Sequence, residues 1–313
     1  MKSKTFLRRP VFMNMWENHP IIWKSLINVG ILMKYKTLNI DKLPKYVTFP
    51  SSTRIYVDSN ENRGKALLLN EGITQNRLRS FWDKVVQNYA PDLVIDVGVN
   101  YGECIFSTIY PDDCVIYGIE ANHYLLNYIQ QSKEVHPNKE QMTIIHALAS
   151  NNDNGVRDFY IDRHWSGTSS ASYVPSHQMV EKVPVNEIAI DSLFQNENYH
   201  TLLFKVDVEG YEAFVIAGMK KLLANCSSAI GFIEFNSEYI MKSGIEPKDF
   251  YSFLQKHFSM YVYLEDDTLM QADGVDYSKL LDKFGSVKIH TDFILWRGEA
   301  NFQPLWNDVN SIG

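Results

Sequence analysis

A glycine-rich stretch, VIDVGVNYGECIF at residues 94–106, brings together residue types that could bind a ligand. An apolar run ends on the acidic Asp96, and Gly98 and Gly102 follow with Asn100 between them. A turn that is only structural could use the two glycines but would not need an acid at the end of a strand. Because glycine has no Cβ, it lets the backbone approach a bound molecule closely. The stretch is therefore predicted to be a ligand-binding loop.

The spacing of the two glycines argues against a dinucleotide as the ligand. Dinucleotide-binding loops follow the pattern G-x-G-x-x-G, whereas three residues separate Gly98 from Gly102. Asp96 and Glu103 would also bring carboxylates close to a pyrophosphate, a group that helix N-terminal amides usually bind. S-adenosylmethionine carries an ammonium and a sulfonium besides one carboxylate, so Asp96 can reach its ammonium. The loop predicts S-adenosylmethionine as the cofactor, with a NAD-dependent oxidoreductase as the alternative of the same fold.

A second acid, Glu120, lies at the end of the next apolar run, 22 residues after Gly98. A carboxylate at that position can accept hydrogen bonds from both hydroxyls of a ribose. Ala121 follows directly and is assigned with Glu120 to the cofactor site. Asn122 is expected only to cap the helix that comes next.

Alternating strand and helix patterns position these loops. Short apolar runs bounded by turn residues are typical of buried parallel strands, and they alternate with segments of helical spacing, which predicts a doubly wound α/β sheet. In such sheets ligands bind beyond the carboxyl ends of the strands. The predicted strands are DLVIDV, CVIYGIE, MTIIHAL, TLLFKVDV, AIGFIEF, MYVYLED and HTDFILWR, and the predicted helices are HYLLNYIQQSKE, YEAFVIAGMKKLLANC and KDFYSFLQKHF.

Three motifs resemble a known family. VIDVGVNYGE is similar to the glycine-rich motif of class I S-adenosylmethionine-dependent methyltransferases, and FKVDVEGYEAFVIAGM is similar to the D-x-E-G-x-E segment of the FkbM-type methyltransferases. VPVNEIAIDSLF resembles the strand and turn before that segment, with Ile190 in place of the usual leucine before Asp191. The resemblance covers about residues 54–297. It implies a Rossmann-like fold, whose seven-stranded, mostly parallel sheet has helices on both faces and an antiparallel closing strand.

The resemblance also implies O-methylation, commonly of a hydroxyl on a sugar, glycan or macrocyclic natural product. The acceptor oxygen attacks the sulfonium methyl, and some group must take its proton because a hydroxyl is a weak nucleophile. Asp207 and Glu209 close the fourth strand, so either could be the base, or together they could hold magnesium or calcium. The base is preferred to the metal, and Asp207 is also assigned to the cofactor site. Glu212 is expected only to cap the next helix.

Further candidates lie on the acceptor side of the predicted site. Glu234 ends the fifth strand, where it could be catalytic or could pair with a lysine at the rim. The closing strand is expected to be antiparallel and so to begin where the parallel strands end. His290, Thr291 and Asp292 should therefore line the acceptor pocket, with His290 as a catalytic candidate. The competing interpretation is that the three residues simply begin a strand, and it is accepted for Thr291 alone. A degenerate, noncatalytic module of this fold would have lost the strand-end acids, and they are all present.

A polar segment after the third strand, SGTSSAS at residues 166–172, could close over the site. Trp165 or Tyr211 is available as an aromatic platform for a sugar. His164 is expected to be solvated rather than catalytic, because a lone histidine in a loop usually is.

Charge is distributed unevenly along the 313 residues, which carry a net charge of −7. Residues 1–50 hold nine basic and two acidic side chains, or +7, so the other 21 basic and 35 acidic side chains give −14. An acidic protein is not expected to bind nucleic acid. The basic arm could contact an anionic membrane surface or a partner, but packing over the acidic domain is preferred.

The basic arm includes IIWKSLINVGILM, which is too short to span a bilayer. It predicts an amphipathic helix, with Ile22, Leu26, Val29 and Met33 near one face. The chain divides into a partly helical extension at residues 1–75, a methyltransferase domain at 76–300 and a tail at 301–313. Three cysteines without paired spacing favour a reducing, cytoplasmic location.

Overall fold

A computed structural model describes residues 19–175, 179–195, 197–264, 266–285, 287–298, 306 and 309–311. The basic residues among the first 18 and most of the predicted tail lie outside this description. The strands are β1 Tyr46–Thr48, β2 Arg54–Tyr56, β3 Leu93–Val97, β4 Val115–Glu120, β5 Met142–His146, β6 Leu148–Ser150, β7 Val156–Asp162, β8 Val180–Ala189, β9 Thr201–Val206, β10 Ser228–Asn236, β11 Ser259–Tyr263, β12 Leu269–Gln271, β13 His290–Arg297 and β14 Val309–Ser311.

One helix precedes β1, and the others lie in some of the intervals between strands. They are α1 Pro20–Tyr35, α2 Asn62–Leu69, α3 Asn76–Tyr89, α4 Leu126–Glu134, α5 Ile190–Leu193, α6 Glu212–Ala217, α7 Lys220–Asn225, α8 Ser237–Lys242, α9 Pro247–His257 and α10 Tyr277–Phe284.

The central sheet has the strand order β14-β12-β11-β13-β10-β9-β3-β4-β5. β3, β4, β5, β9 and β10 run parallel, whereas β13 is antiparallel to both of its neighbours, β10 and β11. The fold is therefore Rossmann-like, with the predicted antiparallel closing strand. All seven predicted strands are present. The sheet is wider than predicted, because β12 and β14 add two strands of three residues at one edge.

Alternate residues of the central strands belong to two separate hydrophobic clusters. Val94 and Leu203 lie in one cluster with α3, while Ile95 and Phe204 lie in the other with α6 and α9. Because successive side chains of a strand point to opposite faces, the two clusters cover the two faces of the sheet. Burial on both faces explains why the parallel strands are continuous apolar runs rather than alternating ones.

The third predicted strand is divided into two. β5 ends at His146, and β6 begins at Leu148 in a separate three-stranded sheet of order β6-β8-β7. β7 and β8 are antiparallel, and the polar segment at residues 166–172 connects them. This small sheet brings that segment toward the carboxyl ends of the central strands.

A single helix predicted after the fourth strand is also divided, into α6 and α7. Gly218 lies at the break, where an added Cβ would be 1.9 Å from the carbonyl oxygen of Ser150. Only glycine permits this approach of the inserted sheet to the end of α6.

The predicted N-terminal helix α1 is present, and the face that it buries is not the one that carries Ile22, Leu26, Val29 and Met33. Trp23, Ile27 and Ile31 are at most 2% exposed and pack into the core. The four residues predicted to share a face are exposed: Ile22 by 51%, Leu26 by 43%, Val29 by 55% and Met33 by 69%.

Among the described residues, no helix is both long and apolar enough to cross a membrane.

Candidate active site

The loop after β3 adopts backbone conformations that explain its glycines. Gly98 has a φ of 77°, and an added Cβ would be 2.0 Å from the carbonyl oxygen of Asp207. The end of β9 thus requires a glycine here by its own close approach, besides the predicted approach of a ligand. Gly102 closes the turn by donating from its N–H to the carbonyl oxygen of Val99 at 2.8 Å.

A cavity opens beyond the carboxyl ends of β3, β4 and β9. Gly102, Glu234 and His290 do not line it. Further walls come from the N-terminal extension, through Arg63 and Gln75, and from the small sheet. Seven of the predicted site residues do line it: Asp96, Gly98, Asn100, Glu120, Ala121, Asp207 and Glu209.

Glu120 is held at the end of β4 by two backbone amides. Its Oε2 accepts from the N–H of Asn100 and its Oε1 from the N–H of Asn122, each at 2.7 Å. Burial raises the pKa of Glu120, and the two amides oppose that rise. The side chain of Asn122 accepts from the N–H of Tyr124, so it caps a turn ahead of α4 rather than the helix itself, which begins at Leu126.

Lys205 on β9 is a site residue that the sequence analysis did not identify. Its Nζ lies 3.1 Å from Asp96 Oδ1, 3.8 Å from Asp207 Oδ2 and 2.7 Å from the carbonyl oxygen of Gly98. Burial would lower the pKa of this ammonium, but Asp96 and Asp207 outweigh burial and raise it. Asp96 therefore has an internal cation partner. Its Oδ2 has no hydrogen-bond partner in the described structure.

Three carboxylates converge at the ends of β9 and β10. Asp207, Glu209 and Glu234 each offer one oxygen, and these oxygens all lie within 4.8 Å of one another. The partner of Glu234 is a histidine rather than a lysine, because Nε2 of His290 lies 3.0 Å from its Oε1. Glu234 and His290 therefore join the site at its rim, beside the cavity.

Asp292 lies directly opposite Glu234 in the antiparallel register of β10 and β13. Arg77 Nη2 contacts its carboxylate at 2.8 Å. Burial, with help from Glu234, raises the pKa of Asp292 to about 6, although Arg77 opposes the rise. Thr291 is 8% exposed, and neighbouring residues of a strand point to opposite faces. It does not share the face of His290 and Asp292, which agrees with the interpretation that Thr291 simply begins the strand.

Glu212, the last acid of the D-x-E-G-x-E segment, has a structural position. Its Oε1 accepts from the N–H groups of Val208 and Gly210 at 3.2 and 3.0 Å. The carboxylate thus caps the turn that leads into α6, close to the role predicted for it. Burial, followed by Glu234, raises its pKa to about 8.

The two aromatic side chains predicted as a sugar platform are buried. Tyr211 is 1% exposed, with its hydroxyl 3.2 Å from Glu187, and Trp165 is 8% exposed and packs against Trp23. Neither ring can stack on a sugar in this arrangement, so that prediction is wrong. His164 is 5% exposed rather than solvated.

The N-terminal extension contributes part of the site wall. Glu61 Oε1 accepts from the N–H of Ser166 at 3.0 Å, and its Oε2 accepts from the hydroxyl of Tyr101 at 3.1 Å. Arg63 Nη2 lies 3.4 Å from Glu103 Oε2. These contacts hold the 166–168 turn beside the cavity. They join residues far apart in sequence that carry no motif, which is why sequence reasoning missed them.

Comparison with known protein families identifies the family of this chain. The family described as the methyltransferase FkbM domain matches residues 96–265, more than half of the chain. The protein belongs to the FkbM methyltransferase family. It is therefore an S-adenosylmethionine-dependent methyltransferase, which decides against the oxidoreductase alternative. The matched segment starts at Asp96 and contains Glu120, Asp207 and Glu234. No curated protein matches the chain in sequence.

Several solved structures are similar to this methyltransferase in fold. A Klebsiella pneumoniae protein described as an O-methyltransferase is 9% identical, with a TM-score of 0.42 over 73% of this chain and 82% of its own. A Bacillus cereus O-methyltransferase in complex with SAH is 12% identical, with a TM-score of 0.39 over 72% and 81%. An SAH-bound Podospora anserina methyltransferase is 9% identical, with a TM-score of 0.41 over 72% and 80%. Similarity at this level concerns the fold alone.

Proposed function

We propose that the protein transfers the methyl group of S-adenosylmethionine to a hydroxyl oxygen of a sugar, glycan or polysaccharide precursor. The charge of the cavity carries the cofactor part of this proposal. Its lining has two cations, Lys205 and Arg63. S-adenosylmethionine has a net positive charge, so a negative cavity attracts it. The carboxylates in the lining outnumber the cations and are Asp96, Glu103, Glu120, Asp207 and Glu209.

Glu120 is the proposed ligand of the cofactor ribose. Each of its oxygens accepts one backbone amide, and an ionised carboxylate has about four acceptor positions. Two of these remain for the ribose hydroxyls. The amides fix the carboxylate before the cofactor arrives, so little ordering is lost on binding.

The methionine end of the cofactor is proposed to lie near Asp96 and Arg63. Asp96 Oδ2 has no hydrogen-bond partner among the described residues and can accept from the cofactor ammonium. Arg63 lines the same cavity from the extension and presents a guanidinium to the cofactor carboxylate. This arrangement pairs the ammonium and the carboxylate of the cofactor each with an opposite charge.

The proton of the acceptor hydroxyl is proposed to pass to the carboxylate cluster of Asp207, Glu209 and Glu234. These residues lie where the strands end, and all three are partly exposed, so an acceptor can reach them from solvent. Their oxygens are also close enough to share one divalent cation, since Mg²⁺ or Ca²⁺ binds carboxylate oxygens at about 2.0 to 2.6 Å. Turnover in the presence of a chelator distinguishes direct proton transfer from metal-assisted transfer.

A neutral polyhydroxyl acceptor suits this rim. Residues 51–313 carry a net charge of −14, which repels a phosphate backbone. Glu234, His290 and Asp292 offer hydrogen-bonding groups on one face of β10 and β13. The aromatic surface proposed for the sugar is the partly exposed Tyr173, whose ring stacks on Tyr239 at 4.5 Å. His290→Ala and Asp292→Ala should raise the acceptor KM or lower kcat while cofactor affinity is unchanged.

The experiment that tests the cofactor site is titration calorimetry with S-adenosylmethionine. Glu120→Ala should lose the ribose hydrogen bonds, and charge-assisted bonds contribute about 1.5 to 3 kcal/mol each, so affinity should fall at least about tenfold. Glu140→Ala is the matched control, because that carboxylate is 91% exposed on the surface. Equal affinity of both variants and wild type for S-adenosylmethionine would show that Glu120 does not bind the cofactor.

The acceptor is tested separately, with labelled S-adenosylmethionine and mixtures of glycans, macrocyclic natural products, RNA and proteins. We expect the label in a carbohydrate, which gains the mass of one CH₂. Labelling of RNA or protein in preference to every sugar would overturn the acceptor class while leaving the cofactor site unaffected. A macrocyclic natural product as the labelled molecule would support the family's other common acceptor.

A further inference from the structure

The outward face of α1 is apolar, although it points away from the core. Trp23, Ile27 and Ile31 on its inward face are at most 2% exposed. A helix with a second apolar face that does not pack on the core ordinarily needs a second apolar environment. The outward side chains are exposed by 43 to 81% and are Ile21, Ile22, Leu26, Val29, Leu32 and Met33.

The spacing of these residues makes them one continuous surface. Ile22, Leu26, Val29 and Met33 follow one another at intervals of four, three and four residues, which places them along one side of a helix. Single exposed apolar residues are normal on a protein surface. Six on one face of a helix of 16 residues form a patch of the kind that contacts a membrane or another protein.

The charge of the N-terminal arm favours a membrane over another protein as the partner of this apolar patch. The first 50 residues carry +7 and the remainder −14. Among the described residues of the arm, five lysines are exposed against one acid, Asp41. They are Lys24, Lys34, Lys36, Lys42 and Lys45. A second copy docked through α1 would bring two positive arms together, which costs free energy. An anionic lipid surface attracts the same lysines.

We propose that α1 lies along the surface of an anionic lipid bilayer, with its outward apolar face at the boundary between headgroups and acyl chains. Its 16 residues form a rod of about 24 Å, at about 1.5 Å per residue. Such a helix lies on a membrane instead of crossing it. The inward face remains packed on the enzyme, so the helix attaches the domain directly, and the acidic remainder is repelled from the lipid surface.

The test is flotation of the full chain with vesicles of phosphatidylcholine alone and with vesicles that also contain phosphatidylglycerol. Wild type should bind the anionic vesicles at least about tenfold more strongly than the neutral ones. Raising the salt from about 0.1 to about 1 M shortens the screening length from about 10 to about 3 Å, so it should weaken binding. The variant Ile22→Gln/Val29→Gln/Met33→Gln should lose at least tenfold in binding.

The matched control is Val156→Gln/Met241→Gln/Val287→Gln, which changes equally exposed apolar residues elsewhere (65, 58 and 89% exposed). It should bind vesicles like wild type. A second test variant, Lys24→Glu/Lys36→Glu/Lys42→Glu, leaves the apolar face intact and should lose the preference for anionic vesicles. The proposal is overturned if wild type does not bind anionic vesicles, or if both test variants bind them as strongly as wild type does. It is also overturned if light scattering shows a dimer that the glutamine variant of α1 converts to a monomer.

Discussion

Replacing Lys205 by methionine should destabilise the protein strongly, because it removes a buried cation from two carboxylates. Lys205 is 4% exposed and Asp96 is 1% exposed, so water cannot take the place of the ammonium. Removing one partner of a buried ion pair costs about 3 to 5 kcal/mol. An unfolding entropy of about 2.1 cal/mol/K per residue is about 0.65 kcal/mol/K for 313 residues. The midpoint of thermal unfolding should therefore fall by roughly 5 to 8 °C.

A second substitution and a change of pH separate the ion pair from simple loss of packing. Asp96→Asn in the Lys205→Met background removes the unpaired charge and should recover at least about 2 kcal/mol. Without Lys205, the folded-state pKa of Asp96, already raised by burial, should rise further. When a carboxyl has a raised pKa in the folded state, the protein loses stability as the pH rises from the unfolded-state pKa to that raised value. The deficit of Lys205→Met should therefore shrink as the pH falls from 7 to 5.

The measurement is thermal unfolding followed by circular dichroism. Lys182→Met is the matched control, because Lys182 pairs with Asp158 at 2.7 Å but on the surface, with both side chains more than half exposed. Its midpoint should change by no more than about a degree. If Lys205→Met behaves like this control, or if Asp96→Asn adds to the loss, then the buried pair is not what stabilises the end of β9.

Three further substitutions test the site and the packing behind it. The pKa of Glu212 is raised from 4.5 to about 8, so wild-type stability should fall as the pH rises between these values. Glu212→Gln should abolish that fall and gain up to roughly 5 kcal/mol above pH 8, at about 1.4 kcal/mol per tenfold change in proton affinity; equal pH profiles in urea unfolding would contradict this. Asp207→Asn should lower turnover at least about a hundredfold while cofactor affinity changes little, and turnover within about threefold of wild type would make Asp207 structural. Gly218→Ala should cost about 1 to 3 kcal/mol of stability, because its Cβ would be 1.9 Å from a backbone oxygen; an unchanged unfolding midpoint would show that β6 and α6 can move apart at this point without a cost in stability.

The central sheet could be predicted from sequence because its strands are buried on both faces. β3 has five residues, all buried, so the apolar run is uninterrupted except by the acid that belongs to the site. Strand-end acids are also predictable, because the carboxyl ends of parallel strands lie at one edge. Asp96, Glu120 and Asp207 accordingly line one cavity.

Breaks within the predicted elements could not be found in this way. Helical periodicity continues through Gly218, and the close approach at this glycine is made by Ser150 from a strand distant in sequence. α1 shows the same limitation. Its two faces are about equally apolar, so periodicity could not decide which one packs against the core, and tertiary contacts placed Trp23 inside.

Lys205 was predictable in principle, whereas the buried aromatics were not. A lysine inside an otherwise apolar strand is rarely fully buried without a partner, and its neighbour in the register of β3 is Asp96. That combination signals a buried ion pair. Trp165 and Tyr211, by contrast, have side chains that serve equally as core or as platform, and composition does not distinguish the two.

The acids of the site also impose an electrostatic condition on the protein without its cofactor. Lys205, Arg63 and Arg77 each contact a carboxylate, but Glu120 is held by two backbone amides. Amides stabilise a carboxylate without neutralising it, so the cavity remains negative. A ligand with net positive charge lowers that repulsion when it binds, and a ligand that binds only the folded state adds RT ln(1 + [L]/Kd) to stability. The same acids that reduce stability in the free protein thus favour a cationic methyl donor over a dianionic dinucleotide.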